Sequence, residues 1–193
     1  LRNELPGNWE VLDERVDQDP EFKELLGAFY KDPNKHANLQ VWITQRRLKE
    51  FRALDNDPTH YLFERSFLGE LVFCHANLLR HEKPTGAFIN FYYSVVAALR
   101  ECRYDAVIYL KASPERCFER IKYRARAEEN TITFDYVRYL HGCYETHMLE
   151  SARMLNVPVL TVDWENFGAA DTVSEQLSAL LEVVAEKKLA CGA

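Results

Sequence analysis

No stretch of this 193-residue chain approaches the run of about eighteen apolar residues that a membrane span needs. Ala106-Val107-Ile108-Tyr109-Leu110 reads as a short buried strand instead, and Leu1-Arg2-Asn3-Glu4-Leu5 lacks the apolar core of a signal peptide. Glycine and proline are scarce, seven of each, and 47% of residues are apolar, which excludes disordered, collagen-like and low-complexity classes. Positive charge is in deficit. With 24 Lys and Arg against 30 Asp and Glu, the net charge of −6 argues against a nucleic-acid coat that neutralises phosphates. The five cysteines, Cys74, Cys102, Cys117, Cys143 and Cys191, are odd in number and scattered, so a reducing compartment fits better than a disulfide framework. Cys143 and His147 stand one helical turn apart, but no further metal ligand has a sensible spacing, which favours a structural role. A Gly-Xaa-Ser-Xaa-Gly elbow, a His-Glu-Xaa-Xaa-His pair and a Gly-rich phosphate loop are all missing from the sequence.

What remains is enough apolar material for one good-sized core, and no internal repeat or linker divides residues 1–193 into more than one domain. Four short strands are predicted, around Val11-Leu12, at His60 to Phe63, at Asp105 to Leu110 and at Val157 to Val162. Helical patterns lie between and after them, at Leu39 to Leu54, Phe67 to Leu79, Phe88 to Cys102, from Pro114 with Ser113 as cap, Phe134 to Leu155 and Val173 to Glu186. Strands alternating with helices imply an α/β fold with parallel strands covered on both faces.

Four clusters carry candidate chemistry. Glu64-Arg65-Ser66 follows a strand directly, where ligands of open α/β sheets gather; it reads equally as a salt bridge at a helix start with Ser66 as cap. Asp13-Glu14-Arg15 ends the first strand, either as ordinary surface charge or with a carboxylate able to take a proton from a substrate hydroxyl. Arg120 and Arg124 share a helix face and Arg126 lies just beyond, a spacing that suits phosphate oxygens and also suits a solvated face paired with Glu119, Glu128 and Glu129. Asn130-Thr131-Ile132-Thr133 then breaks the helix, which predicts a flexible loop able to close over a ligand. Finally, Gln40 and Arg47 project from one helix face and, with Glu70, offer an amide, a guanidinium and a carboxylate to a nucleobase edge. Tyr30, Trp42, Phe67 and Phe73 are candidates for stacking surface or for core.

In this order and spacing, Tyr30-Lys31-Asp32-Pro33, Gln40, Glu64-Arg65-Ser66, the segment from Ile108 to Glu129 containing Arg-Ala-Arg-Ala-Glu-Glu, and the Tyr136 to His141 helix resemble the deoxyribonucleoside kinase family, over about residues 1 to 165. The resemblance implies a P-loop kinase-like three-layer α/β/α fold with a parallel sheet and an Arg-rich lid. It implies ATP-dependent phosphorylation of a deoxyribonucleoside 5′-hydroxyl in nucleotide salvage, with Mg²⁺ travelling with ATP. Glu14 would be the general base, Arg65 the guanidinium beside the hydroxyl and the transferring group, and Glu64 the carboxylate near Mg²⁺. Arg120, Arg124 and Arg126 would be the lid arginines around the ATP phosphates. Tyr30 and Glu129 would hold the sugar 3′-hydroxyl, and Gln40, Arg47 and Glu70 would read the base. The Arg47 and Glu70 pair favours deoxyadenosine, deoxycytidine or deoxyguanosine over thymidine.

The chain departs from the family pattern at Arg15, where a proline is usual, at Asp19, where an aromatic is usual, in a Lys31 to Gln40 stretch one residue short, and near Cys74, whose aromatic is displaced to Phe73. Phe22 is the expected replacement for the lost pocket wall. Family members open with a strand and a Gly-rich loop, and Leu1 to Pro6 resembles the end of the helix that follows that loop, so roughly 20 further N-terminal residues are expected. The partners implied are ATP, a deoxynucleoside and a second copy of the chain in a homodimer, with no nucleic acid and no membrane, in a cytoplasmic or mitochondrial setting. Two other readings share the fold: a non-catalytic accessory subunit of a respiratory complex, and a nucleoside monophosphate kinase.

Overall fold

Phe67, Leu68, Leu71, Val72 and Ala76 recur at the three- and four-residue spacing of one helix face, and in the computed structural model that stripe becomes the centre of the molecule. The structure describes residues 5, 7–13, 19–32, 35–54, 59–80, 86–102 and 104–191. In chain order the elements are β1 (Trp9–Leu12), α1 (Pro20–Lys31), α2 (His36–Ala53), β2 (His60–Phe63), α3 (Phe67–Arg80), α4 (Gly86–Glu101), β3 (Val107–Lys111), α5 (Pro114–Arg124), α6 (Phe134–Cys143), α7 (Leu149–Met154), β4 (Val159–Asp163) and α8 (Ala170–Cys191). A short 3₁₀ turn, Ala127–Glu129, follows α5, and a π-helical segment, Tyr144–Met148, joins α6 to α7.

Helix starts are set by local chemistry. Asp19 accepts from the backbone N–H groups of Glu21 and Phe22 at 3.0 and 3.1 Å, and Pro20 supplies the first turn of α1. Ser113 with Pro114, and Thr133, do the same for α5 and α6. The core against α3 is completed by Ala98 of α4 and Cys102 just beyond it, and by Cys143, Met148 and Ala152 from the α6–π–α7 run. A second core of Phe22, Phe29, Leu39 and Ile43 fills the space between α1 and α2.

All the described strand pairing is parallel, as expected. β1 pairs with β2 from Trp9↔His60 to Leu12↔Phe63, and β3 with β4 from Val107↔Val159 to Lys111↔Asp163. Among the described residues the parallel strands form two pairs, β1 with β2 and β3 with β4, in keeping with the expected α/β fold. Helix α1 is an addition to the predicted elements. The Asn130 to Thr133 break is also no open loop: Ile132 is buried, and Thr131 Oγ1 donates to the Tyr30 carbonyl at 3.1 Å. The predicted helix end at Leu1 to Pro6 falls almost wholly outside the described residues.

Candidate active site

A cavity of about 540 Å³, open to solvent, lies where α1, α2, the β2–α3 junction and the α5–α6 connection meet. Phe22, Leu26, Phe29 and Tyr30 from α1, with Leu39 and Ile43 from α2, form one apolar wall, and Phe73 from α3 forms another. The polar groups are Gln40, Arg65, Glu70, Arg126 and Glu129. Of the stacking candidates, Tyr30 and Phe73 line this cavity and Trp42 lines a neighbouring one beside Phe22. Phe67 does not, because it is sealed in the α3 core.

At one end, Arg47 Nε donates to Glu70 Oε1 at 3.1 Å, and both side chains are enclosed, 10% and 1% exposed. A carboxylate this deep is tolerable only when paired, and the guanidinium fork supplies the pairing. The same guanidinium reaches the carbonyls of Glu64 at 3.2 Å and Arg65 at 3.3 Å through Nη1. Arg65 has φ +66°, a left-handed conformation that costs a non-glycine residue about 1–2 kcal/mol. Arg47 therefore ties the deepest carboxylate of the cavity to the strained turn that carries Arg65. Gln40 stands beside this pair, with its Oε1 accepting from the Cys74 thiol at 3.3 Å.

At the other end, Glu129 draws two arginines together. Arg124 meets it through Nε at 3.1 Å and Nη2 at 2.8 Å, and Arg126 approaches at 3.8 Å. Ala125 between them adopts φ +52° at the C-cap of α5, and this left-handed residue turns the chain so that both arginines meet one carboxylate. Burial, then the neighbouring Tyr136 and Glu129, push the Tyr30 phenol up against the opposing influence of Arg65 and Arg124, so it stays a neutral hydrogen-bond donor at the cavity wall.

The chain has counterparts among known proteins. The deoxynucleoside kinase profile matches residues 1–185. The chain belongs to that family. It is 30% identical over 170 residues to the probable deoxycytidine kinase of fowlpox virus, a match covering 84% of this chain and 72% of the relative. The deoxyadenosine kinase of Dictyostelium discoideum is 24% identical over 161 residues, covering 81% of this chain and 64% of the relative. The chain thus spans less than two thirds of the length of that second relative. Among solved structures, the deoxyadenosine kinase from M. mycoides with bound dATP superposes with a TM-score of 0.68 at 27% identity, covering 90% of this chain and 86% of the other. Members of the family are kinases that transfer phosphate to a nucleoside hydroxyl.

The structure of this family member does not bring all three expected lid arginines together. Arg124 and Arg126 meet at Glu129, whereas Arg120 donates through Nη2 to the carbonyls of Trp164 at 2.8 Å and Glu165 at 3.2 Å. Its guanidinium carbon also lies 4.4 Å from the ring centre of Phe167. The segment after β4 is pinned by Ser113, whose N–H and hydroxyl both donate to the Glu165 carboxylate at 2.7 Å and hold its pKa below the usual range. Glu64 is exposed at the carboxyl end of β2, while Glu14 lies outside the described residues. Among the described residues no three His, Cys, Asp or Glu side chains cluster as a metal cage. The exposed Glu64 carboxylate suits a cation that keeps most of its ligands from water and substrate phosphates, as Mg²⁺ does. Sequence reasoning missed Ala125, Thr131 and Cys74. The first two stand in the irregular stretch after the arginine run, which was itself a signal, but nothing local announces the Cys74 contact.

Proposed function

We propose that this cavity binds a deoxyribonucleoside and presents its 5′-hydroxyl to ATP, yielding the 5′-monophosphate and ADP in nucleotide salvage. One observation carries the reading. Gln40, Glu70, Arg65, Arg126 and Glu129, which combine base-type and sugar-type polar groups, line a single apolar-walled cavity, and Arg47 links its deep end to the turn bearing Arg65. Gln40, Arg47 and Glu70 read the base, while Tyr30 and Glu129 hold the 3′-hydroxyl. Arg65 stands beside the 5′-oxygen. Glu14 takes the hydroxyl proton as the oxygen attacks the γ-phosphorus of ATP in line and the bond to the ADP oxygen breaks. Arg124 and Arg126 at Glu129, and Arg120 from the Phe167 side, supply positive charge to the phosphates. Mg²⁺, bound with ATP and held near Glu64, neutralises phosphate charge when present.

The Arg47–Glu70 pair offers a donor and an acceptor, which favours purines or cytosine over thymine. Solved relatives carrying dATP and dCTP are in keeping with that preference. The test is turnover by the purified protein with Mg·ATP and each of the four deoxynucleosides. Formation of a 5′-monophosphate from deoxyadenosine, deoxycytidine or deoxyguanosine, in excess over thymidine, is expected. No turnover on any of the four overturns the proposal.

A further inference from the structure

Cys74 is fully buried on α3, one turn after Glu70, and its thiol meets Gln40 Oε1 at 3.3 Å. Gln40 is itself only 3% exposed and lines the cavity, whereas Cys74 stands behind it. Burial, then the charge of Glu70, push the Cys74 thiol up, so it remains S–H and can donate. Sulfur is a weak acceptor, so the amide oxygen rather than the amide nitrogen faces the thiol. The Gln40 carbonyl is therefore turned toward the Cys74 and Glu70 side, and its NH₂ toward the remainder of the cavity.

This orientation has a chemical consequence. A glutamine amide is a donor at one end and an acceptor at the other, and a half-turn about its last bond exchanges them. A free Gln40 would serve an amine beside a ring nitrogen as well as a carbonyl beside a ring N–H. We propose that Cys74 is a specificity-determining positioning residue whose thiol fixes the polarity of Gln40, so that the cavity selects bases carrying an exocyclic amine next to an unprotonated ring nitrogen. The amine donates its two hydrogens to Glu70 and to the second lone pair of Gln40 Oε1, and the ring nitrogen accepts from Gln40 Nε2. A base carbonyl at the same place, as in thymine, would meet two acceptors with no hydrogen between them. The inference rests on reading the cavity as the nucleoside site.

The test compares kcat/KM for the four deoxynucleosides, with Mg·ATP, in the wild type and in Cys74→Ala, Cys74→Val and Cys74→Ser. Alanine removes the donor, valine removes it while filling the thiol's volume, and serine restores it. The preference for deoxyadenosine and deoxycytidine over thymidine should narrow about 2- to 10-fold in the Ala and Val variants, the effect of one hydrogen bond. It should persist in the Ser variant, with the KM for ATP unchanged throughout. An active enzyme whose preference is the same in the wild type, Ala and Val forms overturns this inference alone, as does a Ser variant that loses as much as Ala. A wild type inactive on all four substrates overturns the nucleoside reading itself.

Discussion

Arg120 and Arg124 stand one turn apart on α5, yet their guanidinium groups end in different surroundings. Arg124 meets the buried carboxylate of Glu129, which is 6% exposed, through two of its nitrogens. Arg120 instead donates to two backbone carbonyls and lies over Phe167, a ring that is 78% exposed. A guanidinium chelated by a buried carboxylate is fixed in direction and partly offset in charge, whereas one held by carbonyl dipoles and a ring face rests on weaker supports. The cavity end of the molecule is thus built of compensated charge in fixed geometry. The Phe167 end holds its charge on backbone carbonyls and an exposed ring, with the Glu165 carboxylate nearby.

The largest effect that should expose this contrast comes from Arg47→Met. It would strand Glu70 in the interior and release the turn of Arg65, and breaking such a buried pair costs about 3–5 kcal/mol. Denaturant unfolding should show a loss of that order, and kcat/KM for every nucleoside should collapse with it. Adding Glu70→Leu should recover most of the stability and none of the turnover; a double variant as unstable as the single would deny the pairing its role. Glu129→Gln comes next. A neutral amide cannot hold two guanidinium groups, and losing a hydrogen bond to a charged group should lower kcat/KM for the nucleoside about 10- to 100-fold. The KM for ATP should rise less, because Arg124 and Arg126 keep their charge and lose only the group that aligns them, and equal damage to both substrates would erase the distinction between the two regions. Phe167→Ala is the mildest. An exposed cation–π contact is worth about 0.5–1 kcal/mol, so a rise of about 2- to 5-fold in the KM for ATP is expected in steady-state assays, with base preference intact.

Much of this plan was legible in the chain. The strand cores and the helices from residue 39 onward follow from spacing and turn signals, whereas the grouping of Gln40, Glu70, Arg65 and Glu129 at one site follows from the family resemblance. Helix α1 was also written there, in a capping Asp19-Pro20 followed by Phe22, Leu25, Leu26 and Phe29 at the spacing of one apolar helix face. Other features have no local signal. Residues i and i+4 share a face at their Cβ atoms, yet an arginine side chain is long enough to carry its charge away from a neighbour's, and so Arg120 and Arg124 part. The π-helical segment is likewise set by contacts from distant elements: Tyr144 stacks on Tyr109, 6.3 Å between ring centres, and Glu145 is held by Tyr109 and Lys111. The Cys74 thiol reaches a partner 34 positions away, a separation that no periodicity encodes.

The double grip of Arg47 has a kinetic meaning. One rigid, planar group touches both the carboxylate proposed to meet the base and the carbonyls of the turn that carries Arg65. A base that draws Glu70 out of place must also tilt that turn, so a poor substrate would be penalised where the phosphoryl group moves and not merely where the base docks. Discrimination among nucleosides would then be written in kcat, with wrong bases bound yet left unreacted.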